Sequence, residues 1–557
     1  MKNNGLICAF AMITLFFGCK KDGSEPEPPP PPPPPSFSLS LVAVDGRPQA
    51  TSYKDVSISP VVKFSFSNKI SRATVPASFI LRNNAGQTVP VTLSYANNDS
   101  SVLLSPATNL DYLSKYSITL SNALKSVEEG SLQSGITINL LTKIDSSRKF
   151  PVISDQALLD KVQEQTFKYF RDFAHPVSGL ARERSNGNNN VVTSGGSGFG
   201  IMALIVGIER GFITRAEGLA QMQKIVGFLK NTAQKFHGAF PHWLDGTTGA
   251  AIPFSQRDNG ADLVETSYLI QGLLTARQYF TGGGTEATLR NDINEIWNGV
   301  EWDWFRQNNQ NVLYWHWSPN YNWEMNHPIK GWNECLITYV LAASSTTHSI
   351  PKIVYDNGWA SNGAMVKNLN HYGYALPLGP TLGGPLFFSH YSFLGIDPNG
   401  LADAYANYET QTRSHALINY TYCKTNPANK FGYSDSVWGL TASDIPNGYT
   451  ASSPTNDVGV IAPTAALASF PYTPEESMKA LKFFYYVLGD KIWKEYGFVD
   501  AFTLNDPWFA NSFLAIDQGP IIVMIENYRS GLLWDLFTSC QEVQDGLVSL
   551  GFSAPYL

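Results

Sequence analysis

Residues 155–173 read DQALLDKVQEQTFKYFRDF, and they mark the point at which the pattern of the chain changes. Leu158, Leu159, Val162, Phe167, Phe170 and Phe173 recur at helical spacing, so one face of this segment is apolar. On the N-terminal side, from Phe37 to about Lys143, the pattern is short and alternating: SLSLVAV, VVKFSFS, SFILR, TVPVTLSY, SVLLS, YSITLS and ITINLLT, broken by Asp-Gly, Asn-Ala-Gly and Asn-Asn-Asp turns. Seven strands in about a hundred residues predict a β-sandwich of immunoglobulin-like topology. On the C-terminal side further helices are predicted over 199–210, 215–236, 261–280, 286–305, 333–343, 401–422, 474–493 and 520–537. Little there reads as strand, and no fixed repeat of the solenoid kind is visible. Helices joined by long aromatic and glycine-rich loops over some 400 residues predict an (α/α)6 barrel, so the fold class is mostly α with a small all-β domain ahead of it. Gly195-Gly196-Ser197-Gly198 reads as a flexible rim loop of that barrel, because neither a nucleophile elbow nor a nucleotide-binding glycine loop fits its surroundings.

The first 18 residues carry Lys2, an apolar stretch from Leu6 to Phe17 and a small residue, Gly18, before Cys19. This is the order of a secretory signal and too short to span a bilayer. Phe16-Phe17-Gly18-Cys19 resembles the lipobox of bacterial lipoproteins, so Cys19 is expected to carry lipid, and the chain is expected to be exported and anchored facing the periplasm or the cell surface. Residues 19–36 then form a stalk, with eight consecutive prolines from Pro28 to Pro35. The expected domains are thus 1–18 signal, 19–36 lipidated cysteine and stalk, 37–145 Ig-like sandwich and 150–557 helical barrel. Cys335, Cys423 and Cys540 are too widely spaced for a disulfide framework or a metal cluster.

A net charge of −7 lacks the basic footprint of a nucleic-acid binder and disfavours a polyanionic ligand. A neutral glycan suits it. Between Leu313 and Glu334, LYWHWSPNYNWEMNHPIKGWNE holds four of the 13 tryptophans, two tyrosines, two histidines and two glutamates with no regular apolar period. Flat rings cover the C–H faces of pyranoses, and amides and imidazoles meet hydroxyls. Such a loop can also simply pack over a core edge. As a sugar platform it offers Trp315, Trp317, Tyr321, Trp323 and Trp332 for stacking, with His316, Asn333, Arg257 and His390 as polar contacts; Arg257 could equally pair with Asp258.

Glycoside hydrolysis needs two carboxyl groups, one protonated and one ionised. Three places offer them. Asp258, Asp262 and Glu265 stand at i, i+4 and i+7, which on a helix gives one acidic face with Cβ atoms about 5–6 Å apart; the plainer account is an acidic first turn favoured by the helix dipole, with Asp258 as N-cap. Glu334 sits between Trp332 and the apolar run Cys335-Leu336-Ile337, where desolvation favours the protonated form of an acid. Asp517 precedes Gly519-Pro520, where capping is the rival role. The histidines show no metal-binding spacing, so neither metal nor cofactor is expected.

Residues 314–342, FFSHYSFLGIDPNGL at 387–401, VWGLTASDIPNGYTASSPTNDVGVIAPTAALASF at 437–470 and AIDQGPIIVMIENYRSGLLW at 515–534 resemble the bacterial glucoamylase-like domain, whose characterised members include endo-β-1,2-glucanases of glycoside hydrolase family 144. The KFSFSNKIS and LDYLSKYSITL strands resemble bacterial Ig-like modules. The resemblance covers about residues 150–545. It implies an (α/α)6 barrel hydrolysing a β-glucan, most simply β-1,2-linked and with inversion, without a cofactor. It also implies that Asp258 and Asp262 of RDNGAD, Glu334 of GWNE and Asp517 of AIDQGP form the acidic cluster. On that basis Glu334 is expected as general acid, Asp517 as base, and Asp258 and Asp262 as positioning or proton-relay groups, in a chain expected to be a monomer. The competing expectations are a non-catalytic glycan-binding lipoprotein, a glucosidase of other linkage, and a lyase; the last lacks the basic cluster a uronate would require.

Overall fold

The computed structural model describes residues 36–48 and 50–557. The expected signal segment, Cys19 and the proline run lie outside the described residues. The chain divides into two compact units, one running to Asp111 with Lys115–Thr142, the other comprising Tyr112–Ser114 and Lys143–Leu557.

The first unit is a sandwich of two five-stranded sheets. One has the order β2 (Arg47–Pro48), β1 (Leu39–Val44), β4 (Val62–Phe66), β8 (Ser101–Pro106), β7 (Val91–Ala96); the other runs β3 (Ser52–Val56), β10 (Ile136–Thr142), β9 (Lys115–Leu120), β5 (Phe79–Asn83), β6 (Thr88–Val89). All pairs are antiparallel except β3 with β10. Alternation does the work: Val62, Phe64 and Phe66 of one sheet and Tyr116, Ile118 and Leu120 of the other point inward and are buried. Ten strands stand where seven were expected, because SYKDV and the two-residue β2 have no periodicity long enough to register and the expected strand TVPVTLSY is split at Pro90 into β6 and β7. The Asp45-Gly46 turn takes positive φ at both residues, the tight hairpin geometry that matches strand twist.

The second unit is helical. Its longer helices are α1 (Asp155–Arg171), α2 (Ser194–Glu209), α3 (Arg215–Asn231), α4 (Leu263–Tyr279), α5 (Thr285–Asn298), α6 (Leu336–Ser344), α7 (Tyr408–Thr425), α8 (Pro474–Tyr486), α9 (Ala515–Ser530), α10 (Leu532–Thr538) and α11 (Gln541–Leu550). They fall into two kinds. Helices α1, α3, α5 and α8 bury one face only, and α1 and α3 open on side-chain caps, Ser154 accepting from Ala157 N–H and Thr214 in a capping box with Glu217. Helices α2, α4, α6 and α9 are buried almost all round, as an apolar helix of low amphipathicity must be. These four belong to the inner ring of the (α/α)6 barrel: α2 packs against α4 and α9, and α4 against α6.

The crossing of α2 and α4 depends on glycine. A Cβ on Gly198 would collide with the carbonyl of Tyr268, and one on Gly272 with the carbonyl of Gly198, so the two backbones touch directly. This corrects the reading of 195–198 as a rim loop. The glycines are the first turn of α2, and their missing side chains let another inner helix approach. The seventh helix begins at Tyr408 rather than 401, capped by Asn407, and α9 begins at Ala515, so Pro520 lies inside it.

Candidate active site

The inner helices start at one rim. Around a cavity of about 600 Å³ stand Glu183, Glu265 and Glu334, with Trp243, Phe254 and Trp315 among the aromatic walls. Glu334 stands one residue ahead of the N-cap of α6, Cys335 being that cap, and its main-chain carbonyl accepts from Ser392 Oγ at 2.5 Å and from Tyr268 OH at 3.5 Å, which fixes the backbone. Burial, with the charges of Glu265 and Asp262 adding to it, pushes the Glu334 carboxyl up to about 7. It is therefore a proton carrier at neutral pH.

Glu265 was placed by sequence only as part of an acidic face, and it is the residue of that group that reaches the cavity. One oxygen accepts from Gly195 N–H at 2.8 Å and from Thr193 Oγ1 at 3.4 Å, and the other lies 3.9 Å from His242 Nε2. The glycine-lined start of α2 thus holds the carboxylate with a backbone donor. Burial raises the Glu265 carboxyl, and His242 opposes the rise.

The expectation that Asp258, Asp262 and Glu265 share a helical face does not hold. Gly260 and the short strand Ala261–Asp262 interrupt any helix there, and Asp262 itself is the N-cap of α4, its Oδ1 accepting from Val264 and Glu265 N–H at 3.0 and 2.9 Å. That strand pairs with His316–Trp317, setting Asp262 opposite His316. The RDNGAD and aromatic-loop motifs are therefore joined by a two-residue ladder. His242 is on the cavity wall and its Nδ1 lies 3.0 Å from Asp262 and 3.9 Å from Asp258 behind it, while His316 Nε2 is 3.5 Å from Asp258 and 3.7 Å from Asp262. Burial works against a charge on His242, but Glu265, Asp262 and Asp258 lift it to about 9, so it is an imidazolium. Burial likewise opposes ionisation of Asp262, and the hydrogen bond from His242 outweighs it and holds this carboxyl low; Asp258 is raised by burial and by the Asp262 charge. His242, Asp258 and Asp262 are close enough to share a cation among the described residues. The imidazolium already supplies the counter-charge, and nothing else there favours a metal over a proton.

Asp517 is placed differently from the expectation. It is 1% exposed, within the first turn of α9, and its neighbour Ile516, not Asp517, lines the cavity. Its carboxyl is raised well above the usual range by burial, by the charge of Asp500 and by a hydrogen bond shared with Asp500, whose own carboxyl burial raises to about 7. Asp500 in turn accepts from Asp444 N–H at 2.6 Å, and Asp444 grips Arg184 Nη1 at 3.1 and 3.2 Å. Arg184 Nε completes the chain at Glu183, 2.9 Å from Oε2, on the cavity wall. Asp517 supports that wall from behind.

Of the predicted sugar contacts, Trp315 lines the cavity. Trp317 and Trp323 pack around Trp304 instead. Tyr321 OH reaches Gln256 at 3.4 Å. Trp332 is buried against Trp359, Phe393 and Tyr408, and Asn333 caps the turn into α6 by accepting from Cys335 N–H. Arg257 pairs with Glu324 at 2.8 Å rather than with Asp258. His390 is 2% exposed and bonds Ser469 Oγ at 3.0 Å, so it is a core histidine. Sequence reasoning missed His242, Phe254, Trp243 and Tyr449. Phe254, half exposed and stacked on His242 at 4.1 Å, lies only four residues before Asp258, a signal overshadowed by the denser aromatic stretch.

The family model described as "Putative glucoamylase" matches residues 326–541, and that of the bacterial Ig-like domain matches 41–142. The chain is 55% identical to the endo-β-1,2-glucanase from Chitinophaga pinensis, solved with sophorotriose and glucose, covering 73% of this chain and 100% of that one with a TM-score of 0.72. The β-1,2-glucanase from Parabacteroides distasonis is 38% identical over 94% of this chain and 74% of that chain, with a TM-score of 0.70. An exo β-1,2-glucooligosaccharide sophorohydrolase of P. distasonis is 48% identical over 72% of this chain, and the match spans 58% of that relative's length. Built on the same helical barrel, with Glu334 and the RDNGAD acids gathered at one rim, the chain belongs to the glucoamylase-like family that includes the C. pinensis enzyme, and it carries a bacterial Ig-like domain ahead of the barrel.

Proposed function

We propose that the protein is a glycoside hydrolase that cleaves β-1,2-glucan within the chain, with inversion. The observation that carries this reading is Glu334, a carboxyl raised to about 7 on the wall of an aromatic cavity that also presents Glu265. Glu334 donates its proton to the glycosidic oxygen as the bond to the anomeric carbon breaks. Glu265, held by Gly195 N–H and facing the His242 imidazolium, receives the proton of the attacking water. The His242 imidazolium, paired with Asp262, favours the ionised form of that carboxylate against the effect of burial, and Asp258 stands 3.5 Å from His316 behind the wall. Glu265 thus takes the part expected of Asp517, which does not line the cavity. The linkage is supported by the names of the relatives at 55% and 48% identity.

The test is incubation with linear β-1,2-glucan, laminarin, cellulose oligomers and starch. Release of sophoro-oligosaccharides from the first alone, with the α-anomer appearing first by proton NMR, is expected; activity on starch alone, or the β-anomer first, overturns the linkage or the stereochemistry. Because Glu334 must be protonated, kcat/KM falls as pH rises through about 7. Export and lipidation at Cys19 belong to the same proposal, supported by the apolar run ending in FFGC; radiolabelled palmitate incorporated by the native chain and lost in Cys19→Ser tests it.

A further inference from the structure

A second cavity, of about 420 Å³, adjoins the first and is lined by Arg184, Asn186, Asp444, Ile445, Gly448, Tyr449, Trp508, Asn511 and Ser512. Arg184 and Tyr449 line both cavities. Tyr449 sits near the tip of the hairpin formed by Ala442–Ile445 and Gly448–Ala451, and it is 49% exposed where it borders both cavities. Arg184 cannot swing, because Glu183 and Asp444 hold its guanidinium from two sides. Behind this partition the acid is Asp444, which is engaged by Arg184 and Ser512. Trp508, half-buried on a short hairpin, offers a ring, and Asn186 and Asn511, joined by an amide hydrogen bond of 3.1 Å, offer exposed carboxamides.

We propose that this second cavity is an outer site for a glucosyl unit of the same glucan chain, with Tyr449 and Arg184 forming the saddle over which the chain passes. It rests on the reading of the first cavity as a glucan-cleaving site. The chemistry selects a neutral pyranose. Trp508 covers a C–H face, and the two carboxamides donate and accept at hydroxyls, whereas Asp444 and the fully paired Arg184 leave no spare positive charge for an anionic sugar. Asp444, directly across the hairpin from Tyr449, holds Arg184 and accepts from Ser512 Oγ at 2.5 Å, so the saddle and the floor of the outer site are joined. Chains long enough to cross the saddle gain binding that short ones do not.

The experiment compares kcat/KM on sophoro-oligosaccharides of increasing length for the wild type, Trp508→Ala and Asn511→Ala. Asn511 is exposed, so its replacement leaves the fold intact if Trp508→Ala does not fold. Trp508→Ala is expected to lose about tenfold more on long chains than on the shortest one cleaved, about the worth of one well-placed ring contact, and Asn511→Ala to lose less in the same direction. Tyr372→Ala, an exposed ring on another hairpin, should show no length dependence. Equal losses at every length, or no loss, overturn the outer site while leaving the hydrolase reading standing. A wild type inactive on β-1,2-glucan of any length sinks both.

Discussion

At the start of α4, Asp262 is fully buried, and at the start of α9, so is Asp517, yet their surroundings differ in one respect. Asp262 meets an imidazole and two helix N–H groups, so it is ionised and creates a positive His242 beside Glu265. Asp517 meets another carboxyl, so the pair keeps a proton and stays short of full charge. The same residue type near a helix start, N-cap in α4 and first turn in α9, therefore yields a charged site in one case and a proton-sharing strut in the other. Position along a helix does not decide the role of an acid; the partner across the packing interface does.

The largest effect that would sharpen this contrast lies on the charged side. Glu334→Gln should lower kcat by about 10²–10⁴ with KM little changed, measured by product release from β-1,2-glucan. Next, Asp262→Asn keeps a capping side chain but removes the charge. It should cost about a hundredfold in kcat and let His242, now at about 9, titrate nearer the ordinary histidine range by NMR, whereas Asp517→Asn should cost less than tenfold. A larger loss from Asp517→Asn would reverse the roles assigned to the two helix starts.

Stability against pH separates them further. The Asp500–Asp517 pair is raised in the fold, so its contribution is full below the unfolded aspartate pKa and is lost as pH rises through about 7. Asp500→Asn should flatten the melting temperature between pH 4 and 7 by roughly 2–4 °C. Asp262 has the opposite sign. It is held low, so its contribution is present above the unfolded pKa and disappears as pH falls into the acid range. The smallest effect is the uncharged comparison: Ser154→Ala at the start of α1 should cost about 1 kcal/mol in denaturant unfolding and leave the pH profile unmoved.

The sequence made the helices legible where one face was apolar, as in α1 and α3, and the sandwich legible where strands alternate. It obscured the starts of the inner helices. The glycines opening α2 look like loop residues, because only a second backbone pressed against them explains their absence of side chains. Glu334 was visible from its apolar neighbours. The aromatic stretch identified Trp315, but Trp317, Trp323 and Trp332 share its composition and serve packing. His242 could not be found from spacing, since it reaches Asp262 only through tertiary folding.

The hairpin carrying Tyr449 is tethered through Asp444, the residue directly across from that ring, and neither Glu265 nor Glu334 belongs to it. A change in its length or its terminal ring would retune which chain lengths are favoured while the proton-transfer apparatus keeps its geometry. Preference and chemistry in this barrel can therefore diverge independently, which makes this loop the natural place to exchange between relatives that cut the same linkage at different points.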